Sequence, residues 1–332
     1  MILAGDIGGT KTHLALYTFH EGTLKMVAQQ RFASRDFSSL EGVIAAFDAC
    51  HGVPLHAACF GIAGPVVDGV CRTTNLAWEI TTPALQKYLN TLHVKLLNDL
   101  EATAYGMLYL DEDQFVSLNP QGRERLGNRA VIAAGTGLGE AMLFYDGAAY
   151  HPIGSEGGHG DFAPVTPQQD ALLAWLRERF SGHVSYERVL SGPAIVTLYE
   201  FVLHHGSFEE PHAIQNRTST DDASALISRL ALDEHDALCM ETMRLFVQIY
   251  GAEAGNLALK SLAIGGIYIG GGIAPKILPL LQEGHFLDAF ASKGRFEGLL
   301  RAMQIKVSLE AETALLGAAH YAADKLLTNM IK

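Results

Sequence analysis

Two adjacent polar residues, Asn98 and Asp99, follow the apolar run Val94–Leu97. That run predicts a buried strand and Leu100–Leu110 predicts a helix, so both side chains would lie at the carboxyl end of a strand, where α/β proteins bind ligands. Asp99 could there accept a hydroxyl proton as general base in phosphoryl transfer, and Asn98 could hold the substrate by hydrogen bonds. Helix initiation is the alternative, because Asn98 and Glu101 have the spacing of a capping box.

A glycine-rich segment near the start of the chain could bind phosphate: Gly5-Asp6-Ile7-Gly8-Gly9-Thr10-Lys11. The sequence predicts a strand over Ile2–Ala4 and a glycine-rich turn over Gly5–Thr10. Successive backbone N–H groups in a tight glycine turn form a concave site for phosphate oxygens, and the threonine hydroxyl adds a donor. Asp6, at the end of a buried strand, could hold Mg²⁺ through water. An ordinary β-hairpin is the alternative. The segment is not a Walker A motif, because it lacks the Gly-Lys-Ser/Thr ending and a strand follows it.

Two further glycine clusters come directly after apolar runs. Gly135-Thr136-Gly137 follows the strand predicted at Ala130–Ala134 and repeats the arrangement of the first turn. Gly270-Gly271-Gly272 follows Ile267–Ile269, and its bare backbone could let a purine or ribose lie against the chain; a close helix–strand turn is the alternative. Because the first two turns occupy matching positions, they together predict a polyphosphate site.

Another glycine-containing loop carries polar groups that suit a polyol. Ser155-Glu156-Gly157-Gly158-His159 combines a carboxylate with an imidazole, which can hydrogen-bond adjacent sugar hydroxyls. A solvated turn and a metal-binding histidine are the alternatives, and zinc is not expected because no cysteine cluster lies nearby. Glu187 is another candidate acid, or simply a charge at a helix end. Ala63-Gly64 ends a further buried strand and could line the same cleft, or form a tight turn.

The elements that would position these residues alternate between strands and helices, which predicts an α/β fold with mixed sheets. The turns near residues 5 and 135 are each followed by a strand ending in an aromatic residue, and this weak duplication suggests two related α/β lobes with a cleft between them. We expect a small domain over 1–110 plus 310–332 and a large domain over 111–309. Gly251 and Gly255 share one face of a long predicted helix, and their spacing favours close helix packing over ligand contact.

Composition excludes several function classes. The net charge is −12, so nucleic acid and anionic membrane surfaces are poor partners. The four cysteines have no zinc or disulfide spacing. The chain starts without a signal-peptide apolar region, and its longest uncharged apolar stretch, 261–275, is shorter than the ~20 residues of a membrane helix. We expect a cytoplasmic protein.

These motifs, taken in order along nearly the whole chain, resemble the bacterial ATP-dependent glucokinases of the sugar kinase–hexokinase–actin-like ATPase superfamily. Asp6–Thr10 and Gly135–Gly139 resemble the two phosphate loops of the family, and Ile267–Lys276 resembles its adenosine motif. Leu97–Ala102 resembles the catalytic segment and Ser155–His159 the sugar loop. The resemblance implies ribonuclease-H-like mixed sheets. It also implies that Asp99 is the catalytic base and that four residues bind glucose: Asn98, Glu156, His159 and Glu187.

The resemblance also implies the reaction, in which the γ-phosphoryl group of Mg-ATP passes to the 6-hydroxyl of glucose. A homodimer is typical of the family. The cysteine-rich zinc motif of a related kinase and repressor family is absent here, as is a DNA-binding helix-turn-helix, which favours the zinc-free branch. Lys11 stands where some relatives have Asn and could add a phosphate contact. Kinases for other hexoses, a sugar sensor and an actin-like ATPase are the alternatives.

Overall fold

The computed structural model describes residues 1–73, 76–218 and 222–327. None of the helices in those ranges combines the length and the apolar character that a bilayer crossing requires. Asp221, where the sequence predicts a helix to begin, lies outside the described residues, and so do residues 328–332 of the predicted small domain.

The chain divides into two compact units. Unit 1 comprises Met1–Gln114, Ala141–Gly154 and the described part of Glu310–Lys332, and unit 2 comprises Phe115–Glu140 and Ser155–Leu309. Residues 141–154, which the sequence places in the large domain, are thus grouped with unit 1. The assignment of two separate domains stays a prediction.

Fourteen strands occur in the described ranges, and most of them are short. In chain order they are β1 Ile2–Ile7, β2 Lys11–His20, β3 Thr23–Ala33, β4 Ala57–Ile62, β5 Val66–Val67, β6 Val70–Arg72, β7 Glu79–Thr81, β8 Val94–Asn98, β9 Phe115–Ser117, β10 Arg129–Ala134, β11 Leu138–Tyr145, β12 Tyr150–Ser155, β13 Ile267–Gly270 and β14 Ile305–Ser308.

Twelve α-helices occur in the same ranges, and a π-helical turn, Ala322–Leu327, follows the last of them. In chain order the helices are α1 Leu40–Ala46, α2 Thr82–Leu89, α3 Asp99–Gly106, α4 Pro167–Arg179, α5 Gly192–His205, α6 His212–Gln215, α7 Ala223–Asp233, α8 Ala237–Ser261, α9 Leu278–Gln282, α10 His285–Ala291, α11 Glu297–Arg301 and α12 Thr313–Tyr321.

The largest sheet of unit 1 has the strand order β3-β2-β1-β4-β8. β1, β4 and β8 are parallel, while β2 and β3 are antiparallel. Successive side chains of a strand face opposite sides, so Leu3 and Phe60 join one buried cluster with α1, and Ala4 and Cys59 join another with α12. The sheet is therefore covered by apolar residues on both faces, as the predicted α/β fold requires.

A second sheet has the order β12-β11-β10-β13-β14-β9, with β10, β13 and β14 parallel. A third, small sheet has the order β5-β6-β7. The third sheet and β9 are not predicted from the sequence, because strands of two or three residues carry no readable periodicity. β12 is not predicted either, because its six residues include Pro152 and Gly154, which are uncommon inside strands. The mixed sheets and helices confirm the α/β fold class.

Two glycines set the distance between α3 and α12 in unit 1. A Cβ on Gly317 would overlap the carbonyl oxygen of Ala102 and would lie 2.6 Å from the Gly106 nitrogen. A Cβ on Gly106 would in turn lie 3.0 Å from the Gly317 nitrogen. Backbone therefore packs on backbone here, and this contact fixes the helix that begins at Asp99.

The prediction of close packing at Gly251 and Gly255 is confirmed within unit 2. A Cβ on Gly251 would overlap the Phe286 carbonyl oxygen, and one on Gly255 would overlap that of Phe290. The two glycines therefore allow α8 to lie against α10.

Candidate active site

The pair Asn98–Asp99 lies where β8 ends and α3 begins. Asn98 Oδ1 accepts a hydrogen bond from the Leu100 N–H at 2.9 Å, and Glu101 Oε2 accepts one from the Asn98 N–H at 2.8 Å. The capping box considered in the sequence analysis is thus present. It does not exclude a binding role, because it orients the half-buried Asp99 at the carboxyl ends of β1, β4 and β8.

The turn after β4 lies beside this pair. Ile62 is in register with Asn98, and Asn98 Nδ2 donates to the Gly64 carbonyl oxygen at 3.2 Å. Gly64 has a φ of 140°, a backbone conformation that disfavours any side chain. The structure therefore brings together Ala63, Gly64 and Asn98, which the sequence analysis proposes as substrate ligands.

A buried thiol adjoins the same group of residues. A Cβ on Gly64 would lie 3.5 Å from Cys71 Sγ. Burial, and secondarily the charge of Asp99, raises the pKa of the Cys71 thiol above its usual value. Cys71 therefore stays a neutral apolar neighbour of the candidate base.

The first glycine turn is shorter than predicted. β1 continues through Ile7, so only residues 8–10 form the turn, and the expectation of a turn over Gly5–Thr10 is wrong. Gly5 is buried inside the strand, where a Cβ would lie 2.7 Å from a ring atom of Phe60. Pairing with β2 and β4 extends the strand; Thr10 and Lys11 remain exposed at the turn.

Ser34 fixes the shape of that turn. Its Oγ donates to the Gly8 carbonyl oxygen at 2.8 Å and lies 3.0 Å from Thr12 Oγ1. The Gly8 N–H donates to the Lys11 carbonyl at 2.9 Å, and the Ser34 N–H donates to the Thr10 carbonyl at 3.0 Å. Sequence analysis misses Ser34, since nothing in its neighbourhood signals a contact with a turn 26 residues away.

Asp6 sits among charged residues of unit 1. It pairs in register with His13 of β2, and His13 Nδ1 lies 3.7 Å from Glu312 Oε1, which also forms an ion pair with Arg31. Burial, followed by the charge of Glu312, raises the pKa of the Asp6 carboxyl to about 6. Asp6 is thus a carboxylate that a nearby cation would stabilise.

In unit 2, the Glu187 side chain packs against the second glycine turn. Glu187 Oε2 accepts a hydrogen bond from the Leu138 N–H at 3.1 Å. A Cβ on Gly137 would lie 3.2 Å from Glu187 Cδ, so the carboxylate needs a glycine at that position. The Gly192 N–H donates to the Gly135 carbonyl at 2.8 Å, which ties the start of α5 to the turn that includes Thr136.

The loop with Glu156 and His159 packs on the strand that follows this turn. A Cβ on Gly158 would overlap the Leu138 carbonyl oxygen, and a Cβ on Gly157 would lie 2.9 Å from Glu140 Cδ. Glu156 Oε2 and His159 Nε2 lie 4.0 Å apart and both side chains are exposed. Leu138 therefore contacts two candidate elements, with its N–H on Glu187 and its carbonyl against Gly158.

The third glycine cluster approaches the second within unit 2. β10 and β13 pair so that Ala133 lies opposite Gly270. Gly271 has a φ of 81°, and a Cβ there would overlap the Ala134 carbonyl oxygen. Gly271 and Gly272 thus follow a strand end adjacent to the one that precedes Gly135.

A family model described as Glucokinase matches residues 3–325. The chain belongs to the glucokinase family. It is 41% identical to a glucokinase of Synechocystis sp. over 97% of both chains, and 35% identical to one of Yersinia enterocolitica over 98% of this chain and 97% of that one. The solved structure of a glucokinase from an Antarctic psychrotroph superposes with a TM-score of 0.83 at 31% identity, covering 98% of this chain and 99% of the other.

The family membership confirms the resemblance stated from the motifs. The roles of individual residues remain predictions, since family membership does not assign a function to any single residue. Within unit 1 the structure groups Asp6, Gly64, Asn98 and Asp99 at neighbouring strand ends. Within unit 2 it groups the turn at Gly135–Gly137 with Glu187 and the loop Ser155–His159.

Ser34→Ala should weaken nucleotide binding more than sugar binding. The substitution leaves the Gly8 carbonyl without its buried donor, which costs about 1–3 kcal/mol, and frees the turn. We expect KM for ATP to rise while KM for glucose changes little, measured by initial rates at saturating concentrations of the other substrate. Equal effects on the two KM values would contradict a role confined to this turn.

Proposed function

We propose that this chain transfers the γ-phosphoryl group of ATP to the 6-hydroxyl of glucose. Besides family membership, one observation carries the proposal: Asp99 stands at the first turn of α3, at the carboxyl end of β8, with Asn98 fixed beside it by Gly64. A carboxylate in that position is suited to accept the proton of a hydroxyl group held by Asn98.

Asp99 acts as the general base in this proposal. The phosphoryl group passes through a loose transition state, so positioning and electrostatics supply most of the catalysis. The 6-hydroxyl gives its proton to the Asp99 carboxylate as the new O–P bond forms and the bond to the β-phosphate oxygen breaks. Asp99 Oδ1 also accepts from the Leu100 N–H at 2.9 Å, which limits the rotation of the carboxylate.

The turns at Gly8–Thr10 and Gly135–Gly137 are the proposed phosphate-binding elements, and Lys11 adds a positive charge beside the first. Asp6 fits Mg²⁺, because Mg²⁺ keeps most of its water and takes one or two carboxylates. Burial and the charge of Glu312 raise the pKa of the Asp6 carboxyl, so a cation beside it would stabilise the charged form. When bound, the ion would neutralise charge on the phosphate oxygens. Gly271 and Gly272 are proposed to contact the adenosine.

Glu156, His159 and Glu187 are proposed to bind glucose hydroxyls. Glu156→Ala should raise KM for glucose by one to two orders of magnitude, since a lost charged hydrogen bond costs about 1.5–3 kcal/mol, with a smaller effect on kcat. Initial rates over a range of glucose concentrations measure both constants. An unchanged KM would remove Glu156 from the sugar site.

A coupled assay of ADP release over a panel of sugars tests the proposed activity. Glucose should give the highest kcat/KM among glucose, mannose, fructose and N-acetylhexosamines, with glucose 6-phosphate as product. ATP should serve as donor where ADP and polyphosphate do not. ATP hydrolysis that is independent of sugar would favour the actin-like alternative, and preference for another hexose would change the substrate and keep the reaction.

The family resemblance also carries two expectations about the protein in the cell, a homodimer and a cytoplasmic location. Sedimentation velocity of the purified chain tests the first, since a dimer doubles the mass of 35.8 kDa. Fractionation of cells that express the chain tests the second.

A further inference from the structure

Glu140 is a buried acid that the proposed reaction does not use. It lies in β11 with 1% of its surface exposed, and its carboxyl group is hydrogen-bonded to that of Glu253 in α8, which is fully buried. Two carboxyl groups in contact away from water cannot both be charged without a large cost. The pair therefore shares one proton.

The hydrogen-bond partners indicate which of the two acids carries that proton. Glu253 Oε2 accepts from Asn256 Nδ2 at 2.8 Å and Glu253 Oε1 accepts from Lys260 Nζ at 3.2 Å. Glu140 Oε1 has no partner among the described residues. Charge-stabilising donors thus surround Glu253, so Glu253 is the carboxylate and Glu140 the acid.

The electrostatics agree with this assignment. Burial, and secondarily the charge of Glu253, raises the pKa of Glu140 to about 8, while Lys260 acts in the opposite direction. The other titratable groups around the pair are Tyr186, hydrogen-bonded to Glu253; Tyr250, near Glu140; and Lys293, whose Nζ donates to the Ala252 carbonyl at 2.9 Å and is attracted by Glu253.

The same carboxyl group supports the loop proposed to bind sugar. A Cβ on Gly157 would overlap Glu140 Oε2 and lie 2.9 Å from Glu140 Cδ. The loop backbone therefore rests on Glu140 directly between Glu156 and His159. A movement of the Glu140 carboxyl would displace both proposed ligands.

We propose that Glu140, protonated and hydrogen-bonded to Glu253, is a positioning residue that holds the loop Ser155–His159 in its sugar-binding conformation. The inference rests on the proposed function, because it gives the loop its role. Loss of the proton at high pH places two negative charges side by side. Glu140 then moves away from Glu253, and the loop loses its support.

The glucose dissociation constant, measured by calorimetry between pH 6 and pH 9.5, tests the inference. In the wild-type protein it should rise above pH 8, by about tenfold at pH 9 in the limit where only the protonated form binds. Glu140→Gln should show no such rise, because its amide donates to Glu253 at every pH. Glu140→Ala lacks the donor and should bind weakly already at pH 7.

Glu178→Gln serves as the matched control, because Glu178 is an exposed acid of α4. It should follow the wild-type profile. KM for glucose should track the dissociation constant, whereas kcat at saturating glucose should not differ between wild type and Glu140→Gln in its pH dependence. An equal loss of affinity above pH 8 in wild type and Glu140→Gln would overturn the inference, as would tight binding by Glu140→Ala at pH 7.

Thermal unfolding without ligand separates this inference from the proposed function. Glu140 has a folded pKa near 8 against an ordinary value of 4.5, so the folded state binds more protons than the unfolded state between those values. Wild-type stability should therefore fall relative to Glu140→Gln as pH rises from 5 to 8, and the gap should then stay constant. If the difference in stability between wild type and Glu140→Gln does not change with pH, the inference about the buried pair is overturned, even in a protein that phosphorylates glucose. If that difference depends on pH but glucose is not phosphorylated, the proposed function is refuted instead.

Discussion

Asp99→Asn should lower kcat for glucose phosphorylation by about 10²–10⁴-fold, the usual contribution of a general base. The amide cannot accept the hydroxyl proton, yet its oxygen can keep the hydrogen bond from the Leu100 N–H that Asp99 Oδ1 now accepts. The cap of α3 belongs to Asn98 and Glu101, so the fold should remain. The dissociation constant for glucose should change little, and calorimetry together with initial rates measures the two effects separately.

The comparison with Asp99→Ala and Glu178→Gln sharpens this test. Asp99→Ala removes the base as well and should lose a similar share of kcat, while Glu178→Gln should keep the wild-type rate. A variant at position 99 that retains substantial turnover would refute the base assignment. A large loss of glucose binding in Asp99→Asn would show instead that the carboxylate holds the sugar in the ground state.

The sequence predicts the position of Asn98 and Asp99 well, because local signals determine it. An apolar run predicts the strand, and a capping box predicts the helix start. The two interpretations of Asn98 do not compete: Oδ1 caps α3 while Nδ2 donates to Gly64. A small amide side chain has enough polar atoms to serve both the helix and the adjacent turn.

Contacts between distant segments were not predictable in the same way. Ser34 holds the Gly8 turn and Glu140 pairs with Glu253. In neither case does the sequence around one residue indicate its partner. The end of β1 was misplaced for a related reason. Glycine and aspartate at positions 5 and 6 suggest a turn by propensity, but pairing with strands on both sides keeps the chain extended to Ile7.

Glycine patterns carried more information than their local interpretation suggests. The sequence places Gly157 and Gly158 between two candidate sugar ligands, and the structure shows that these glycines allow the loop to rest on Glu140 and Leu138. Gly137 likewise makes room for Glu187. In each case the glycine is needed because a neighbouring group occupies the space that a Cβ would take. The sequence shows the glycine but does not identify that neighbour.

Gly317→Ala should cause the largest loss of stability among simple substitutions away from the proposed ligands. The new methyl group would overlap the Ala102 carbonyl oxygen and lie 2.6 Å from the Gly106 nitrogen, and both are backbone atoms of α3 that cannot rotate away. Overpacking of this kind costs about 1–3 kcal/mol and more when the backbone must move. The free energy of unfolding, from urea titration at pH 7, measures the loss.

Gly298→Ala is the control for that substitution. Gly298 lies in α11 with nothing within 4 Å of the added Cβ, so the change should be neutral or stabilise by about 0.4–1 kcal/mol. Because α3 begins at Asp99, Gly317→Ala should also lower kcat at temperatures where the protein is still folded. Wild-type stability in Gly317→Ala would show that α12 can shift outward, and wild-type kcat in a destabilised variant would show that the start of α3 is held by β8 and its cap alone.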